Sequence, residues 1–165
     1  MDEFSFYLQT SKTPPIRTTS ELLKDLLTEG NLECGPDGIR LIAVDISRTV
    51  LTHLKLEACN FEEYHCPGNV ILGLNMLDFH KIIKTMENTD TLKLYVRYDN
   101  PNILGIDMYT KEKNTLNSWE LNLMDLQYDD IEIPPIKFES VITMKSSHFQ
   151  KICRDMHNLA DNIEI

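Results

Sequence analysis

The sequence is short of the residues that build common active sites. Its six glycines form neither GxGxxG nor a P-loop, so nothing supports nucleotide binding. Four cysteines (Cys34, Cys59, Cys66, Cys153) include no CxxC pair, and the five histidines are scattered with no HExxH. Cys59 and Cys66 near His65 fit no zinc spacing. Ser47-Arg48-Thr49 has no nearby base to activate a hydroxyl, and Asp129-Asp130 lies in an acidic stretch where carboxylates are solvated. These absences describe a protein that is not an enzyme and uses no cofactor and no metal. No apolar run reaches the length of a membrane span, so no membrane partner is expected. The opening MDEFSFYLQT lacks a basic region followed by an apolar run, and no N-x-S/T sequon occurs. The four thiols then read as reduced and buried in an intracellular protein. Positive charge is also scarce: 16 Lys and Arg stand against 26 Asp and Glu, a net charge of −10. Taken alone, that argues against a simple nucleic-acid binder, which is usually basic.

Alternation of apolar and polar residues is abundant. Over Leu92–Tyr98 and Thr52–Ala58 every second side chain is apolar, the period of a strand with one buried face. Further strands are expected at Phe4–Leu8, Leu32–Cys34, Gly38–Val44, Phe61–Cys66, Val70–Leu74, Ile103–Tyr109, Leu116–Leu123 and Lys137–Met144. Turn residues separate them at Gly35-Pro36-Asp37-Gly38, Pro67-Gly68 and Asn100-Pro101-Asn102, which predicts mostly antiparallel sheet. Three helices interrupt the strands. The first falls between Pro15 and Glu29, with Thr18 and Glu21 at capping-box spacing and an apolar stripe of Leu22, Leu23, Leu26 and Leu27. The second runs from about Met76 to Glu87, burying Met76, Phe79, Ile82, Ile83 and Met86. The third runs from about Ser146 to Ala160, burying Phe149, Ile152, Cys153, Met156 and Leu159.

The second and third helices repeat one pattern. Phe79-His80-Lys81-Ile82-Ile83-Lys84-Thr85-Met86 aligns with Phe149-Gln150-Lys151-Ile152-Cys153-Arg154-Asp155-Met156, and each follows a strand. A strand–helix–strands unit therefore recurs, starting near residues 4, 69 and 137, which makes the fold class α+β with repeated units. The domain organisation expected is residues 1–122, an acidic connector over 123–135 closed by Pro134-Pro135, and 136–165 as the opening of a second domain. Because a sheet rarely ends on an apolar, unpaired strand such as Asn162–Ile165, the chain reads as incomplete. Six of the basic residues gather on the helices: Arg17, Lys24, Lys81, Lys84, Lys151 and Arg154. Lys81 and Lys84 share a helix face, as do Lys151 and Arg154, away from the apolar stripe. Equivalent helices lining one basic surface inside an acidic body would hold a phosphate backbone without reading its sequence.

Five segments carry a resemblance to a known family. Leu23-Lys24-Asp25-Leu26-Leu27, Val44-Asp45-Ile46-Ser47-Arg48-Thr49-Val50-Leu51, Leu123-Met124-Asp125-Leu126, Ile131-Glu132-Ile133-Pro134 and the Phe149–Met156 helix resemble, in that order and at matching spacing, proliferating cell nuclear antigen, the DNA polymerase sliding clamp. The resemblance implies the DNA-clamp fold, with helices on one face and antiparallel sheets outside, and covers only the first part of a typical subunit. It implies a homotrimeric ring around double-stranded DNA, bound without regard to sequence, that serves as processivity factor. It further implies a DNA polymerase, a clamp loader and repair or replication proteins with short aromatic-anchored motifs as partners. The location it implies is the nucleus, or a viral replication site if the source is viral. The six cations above match the family's DNA-facing positions, with Thr18 and Asn158 replacing a lysine and a histidine. The partner groove maps to Val44, Arg48, Thr49 and Leu51 for its floor and to Ile131, Ile133 and Pro134 for its lip. Arg48 and Thr49 stand where the family usually has histidine and valine. Trp119, with Met156 and Leu159 on the other side, maps to the interface between subunits. Residues 9–16 depart from the family and read as a longer loop. The alternative reading is a non-ring, β-rich scaffold that binds peptides through the connector.

Overall fold

The alternating segments become strands in a computed structural model, which describes residues 3–45, 47–127, 137 and 139–159. The chain divides into two compact units, Met1–Ile131 and Glu132–Ile165. In the first unit the order is β1 (Phe4–Thr10), α1 (Thr13–Leu26), β2 (Glu29–Gly35), β3 (Gly38–Val44), β4 (Leu51–Glu57), one 3-10 turn (Ala58–Asn60), β5 (Glu63–His65), β6 (Val70–Asn75), α2 (Met76–Ile83), β7 (Asp90–Arg97), β8 (Asn100–Thr110) and β9 (Thr115–Asn122). Two repeats are visible: a strand, a helix and a three-stranded meander, twice over. Their lead strands are exchanged. β1 pairs with β7 of the second repeat in a sheet ordered β5-β1-β7-β8-β9, and β6 pairs with β2 of the first in a sheet ordered β4-β3-β2-β6. All the pairings are antiparallel. The exchange interlocks the repeats, so neither half can bury its apolar face without the other.

The core is shared by both sheets and both helices. Phe6 and Leu8 of β1, Leu92 and Val96 of β7, and Leu104 and Ile106 of β8 meet Leu41, Leu72 and Leu74 of the other sheet, with Leu23, Leu27, Phe79 and Ile83 from the helical layer. The unit is thus α+β with antiparallel sheets. Each fully buried aliphatic or aromatic side chain contributes about 1.5–3 kcal/mol.

Several expectations change. α1 begins at Thr13, with Pro14 and Pro15 in its first turn, so Thr18 and Glu21 are interior residues and form no capping box. Proline is accommodated there because the first amides of a helix have no partner to lose. The long loop expected over 9–16 shrinks to Ser11 and Lys12. The buried stripe of α1 is Thr13, Ile16, Ser20, Leu23 and Leu27; Leu22 and Leu26 are exposed instead. α2 ends at Ile83, so Lys84 is its C-cap rather than an interior residue, and Asn75 caps its start by accepting from Asp78 N at 3.0 Å. The strand expected at Phe61–Cys66 is only three residues long, because Phe61 N closes the 3-10 turn on Ala58 O at 3.2 Å.

In the second unit α3 (Ser146–His157) is the described element. The strand expected at Lys137–Met144 is absent over 139–145, where Val141 and Ile142 are 83% and 68% exposed. A strand needs a neighbour to take its amides and carbonyls, and none is present among the described residues of this unit. For the same reason the stripe of α3 is not buried: Phe149 and Met156 are half-exposed and Leu159 is exposed. The terminal strand expected at Asn162–Ile165 lies outside the described residues.

Candidate functional site

α1 and α2 pack side by side, and their cations divide by what holds them. Lys81 pairs with Asp78 at 2.9 Å one turn away, with both side chains more than half exposed. Lys24 pairs with its neighbour Asp25. Such surface pairs are worth about 0–1 kcal/mol, so either lysine can exchange its carboxylate for another anion. Lys84 is exposed at the end of α2. Arg17 differs. It is half-buried, its Nη1 donates to Asn88 Oδ1 at 3.1 Å, and its Nη2 donates to Met86 O beyond the end of α2. Lys151 and Arg154 are exposed on α3, in the other unit.

The residues expected as a groove floor lie at the end of the β3–β4 hairpin and its loop. Val44 and Leu51 are antiparallel partners, 37% and 45% exposed, and the neighbouring Val50 is also exposed, which the sequence reading did not include. Asp45 organises the loop between them. Its carboxylate accepts from Thr49 N at 2.8 Å, from Val50 N at 2.7 Å and from the Ser47 hydroxyl. Arg48 turns the corner in the left-handed region, φ 57°. Hydrogen bonds from the Ser47 hydroxyl and the Val50 amide hold the Asp45 carboxyl at about 2. Ser47 and Thr49, expected to have no nearby base, thus have the Asp45 carboxylate within hydrogen-bond distance of both hydroxyls. A carboxylate so acidic nonetheless takes a hydroxyl proton poorly, and it serves the turn.

The lip residues Ile131, Ile133 and Pro134, like Asp129 and Asp130, lie outside the described residues. The start of the connector is described. Leu123 N donates to Asn102 O and Met124 N to Gly73 O, both at 2.8 Å, which lays the chain along edge strand β6. Gly73 permits the close approach, since a Cβ there would lie 2.1 Å from Met124 O.

Trp119 sits opposite Ile106 on β9, the edge of the five-stranded sheet, and is 44% exposed. Of the four thiols, Cys34 and Cys66 are buried, whereas Cys59 is exposed and Cys153 is partly so, which corrects the expectation of four buried cysteines. Burial pushes the Cys34 and Cys66 thiols up. Among the described residues no three His, Cys, Asp or Glu side chains gather as metal ligands, and no helix is long and apolar enough to cross a membrane.

Comparison with known proteins decides the family. The family model for the proliferating cell nuclear antigen N-terminal domain matches residues 11–131, and the model for the C-terminal domain matches 132–165. The chain belongs to the proliferating cell nuclear antigen family. It is 32% identical over 164 residues to the probable DNA polymerase sliding clamp 1 of Paramecium bursaria Chlorella virus 1, covering 99% of this chain and 63% of that protein. It is 34% identical over 142 residues to the proliferating cell nuclear antigen of Saccharomyces cerevisiae, covering 86% and 55%. Against proliferating cell nuclear antigen 2 of Drosophila melanogaster the identity is 30% over 155 residues, covering 94% and 60%. The chain thus spans somewhat over half the length of these relatives, which come from eukaryotes and from a virus. The two matched domains of the family meet at residues 131 and 132, where the two compact units also divide.

Proposed function

We propose that this chain supplies the first domain, the connector and the start of the second domain of a sliding clamp subunit. In the trimeric ring it encircles duplex DNA, tethers a polymerase as processivity factor and performs no chemistry of its own. The observation that carries the reading is the placement of charge: in a chain of net charge −10, Lys24, Lys81 and Lys84 occur together on the two helices that pack side by side. Lys151 and Arg154 of α3 are the second unit's cations in the proposed DNA-facing set. An acidic body keeps DNA off the outside while the helices accept its backbone, so contacts are weak, sequence-blind and salt-sensitive. A clamp loader closes the ring, and β9 around Trp119 meets the Met156 and Leu159 side of the next subunit. Partner motifs seat an apolar anchor on Val44 and Leu51, beside Arg48 and Thr49, and the connector residues Ile131, Ile133 and Pro134 complete the proposed set. The protein acts in the nucleus or at a viral replication site.

The test is polymerase processivity on primed DNA with the clamp formed by this protein. Charge reversal of Lys81 and Lys84 shortens the products, whereas reversal of Lys111 and Lys113, on the exposed turn between β8 and β9, leaves them nearly unchanged. Equal shortening by both pairs refutes the assignment.

A further inference from the structure

Thr13, Arg17 and Ser20 are four and three residues apart, so they share one stripe of α1. Each makes its bonds to α2 or to the turn that follows it. Thr13 Oγ1 lies 3.2 Å from both Glu87 O and Asn88 O, Arg17 reaches Met86 O and Asn88 Oδ1, and Ser20 Oγ lies 3.0 Å from His80 Nδ1. Thr13, Ser20 and His80 are buried, and Arg17 is partly so. The turn that follows α2 takes the helix's own last carbonyls, His80 O by Lys84 N, Ile82 O by Thr85 N and Ile83 O by Met86 N. The carbonyls of that turn, Met86 O, Glu87 O and Asn88 O, find their side-chain donors on α1, one of them a cation.

We infer that Arg17 is a positioning residue that fixes α1 against the end of α2, and is not one of the phosphate-neutralising cations. The inference rests on the clamp reading for what the helices face, and it narrows that surface on α1 and α2 to Lys24, Lys81 and Lys84. To reach a phosphate, the guanidinium must abandon Met86 O, which no other described side chain bonds, and Asn88 Oδ1. A planar fork makes both bonds at once; a lysine ammonium in its place is a single point of charge and cannot span them. The Ser20–His80 contact completes the stripe. Ser20 Oγ also donates to Arg17 O at 2.8 Å. A hydroxyl has one proton, so when it goes to Arg17 O the contact with His80 takes its proton from Nδ1.

The experiment compares the chain with Arg17→Gln, Arg17→Lys and Lys84→Gln variants. It reads the thermal midpoint, the slope of log affinity for a short duplex against log salt, and the ring nitrogen shifts of His80 by NMR. Arg17→Gln lowers the midpoint by about 3–6 °C, leaves the salt slope unchanged and moves the His80 nitrogen shifts as α1 loses its register on α2. Arg17→Lys recovers less than half of the lost midpoint, although it keeps the charge. Lys84→Gln leaves midpoint and His80 shifts alone and reduces the slope by about 0.9 for each phosphate that the lysine neutralised. The inference is overturned if Arg17→Gln reduces the slope as Lys84→Gln does with no change in midpoint, or if Arg17→Lys behaves as wild type throughout. If Lys84→Gln and Arg17→Gln both leave the slope unchanged, the DNA-facing reading has failed. The interhelical tie is then decided by the midpoint and the His80 shifts alone.

Discussion

Replacing Gly73 by alanine tests how the connector begins. Gly73 does not lie at positive φ, so alanine fits its backbone, and the methyl group's main obstacle is Met124 O, 2.1 Å from the new Cβ, with Met124 C at 3.0 Å and Asn31 Oδ1 at 3.3 Å. Met124 O is backbone and cannot rotate aside, so Met124 and its neighbours must leave β6. The loss comprises the Met124 N to Gly73 O bond, about 1 kcal/mol, and part of the burial of Leu123, about another 1 kcal/mol. The bond from Asn31 Nδ2 to Gln127 O is long, 3.5 Å, and adds little. Against these losses, alanine restricts the unfolded chain and returns about 0.4–1 kcal/mol. The net is a destabilisation of about 1–2 kcal/mol, a fall of about 3–8 °C in Tm. Hydrogen exchange separates this from a general effect, because the Met124 amide loses protection while amides in β7 and β8 keep theirs. Gly68→Ala is the control: no atom lies within 4 Å of its Cβ, so Tm stays level or rises slightly. A Gly73→Ala protein with wild-type Tm and a protected Met124 amide refutes the reasoning.

Other perturbations have equally definite outcomes. The Asp45 carboxyl is held near 2, below the ordinary 3.8, so its contribution to the loop is full above about pH 4 and is lost as pH falls toward 2. An NMR titration gives that midpoint, with the Thr49 and Val50 amides opening in step; a midpoint near 4 contradicts the hydrogen-bond assignment. Asp90 is 3% exposed and accepts from Thr110 Oγ1 at 2.6 Å and Glu87 N at 2.8 Å. Asp90→Ala strands the buried Thr110 hydroxyl and the partly buried Glu87 amide and costs about 1–3 kcal/mol in a denaturant titration, and a loss below about 0.5 kcal/mol is inconsistent with that network. Iodoacetamide labels Cys59 in the native protein within minutes and leaves Cys34 and Cys66 unmodified until unfolding, as peptide mass mapping reads directly.

The strands were legible because their signal is local: two-residue alternation survives whatever the strand pairs with, and Gly38–Val44 appears with the expected bounds. The exchange of lead strands between repeats has no such signal, since β1 meets β7 more than eighty residues later. The start of α1 was missed because Pro14-Pro15 looks like a break to a reading that seeks helix breakers, although the first turn tolerates proline. Its true buried stripe includes Thr13 and Ser20, polar residues that hydrophobic periodicity discards and that α2 and the turn after it accommodate through hydrogen bonds. Lys81 and Lys84, three residues apart and off the apolar stripe, are exposed as their spacing leads one to expect, whereas Lys24 is partly covered. Whether Arg17 belongs with them depends on a carbonyl 69 residues away, and no spacing rule carries that.

The edge position of β9 has a practical consequence. Trp119 is the sole tryptophan of the chain and stands half in water on the outermost strand. Its fluorescence therefore reports on one place without a label. Whatever takes the open side of β9 dries the indole and moves its emission to the blue, while an event at the β3–β4 loop leaves the colour unchanged. Contacts made at β9 and contacts made at the β3–β4 loop, even where both bury apolar surface, can thus be told apart in a single cuvette.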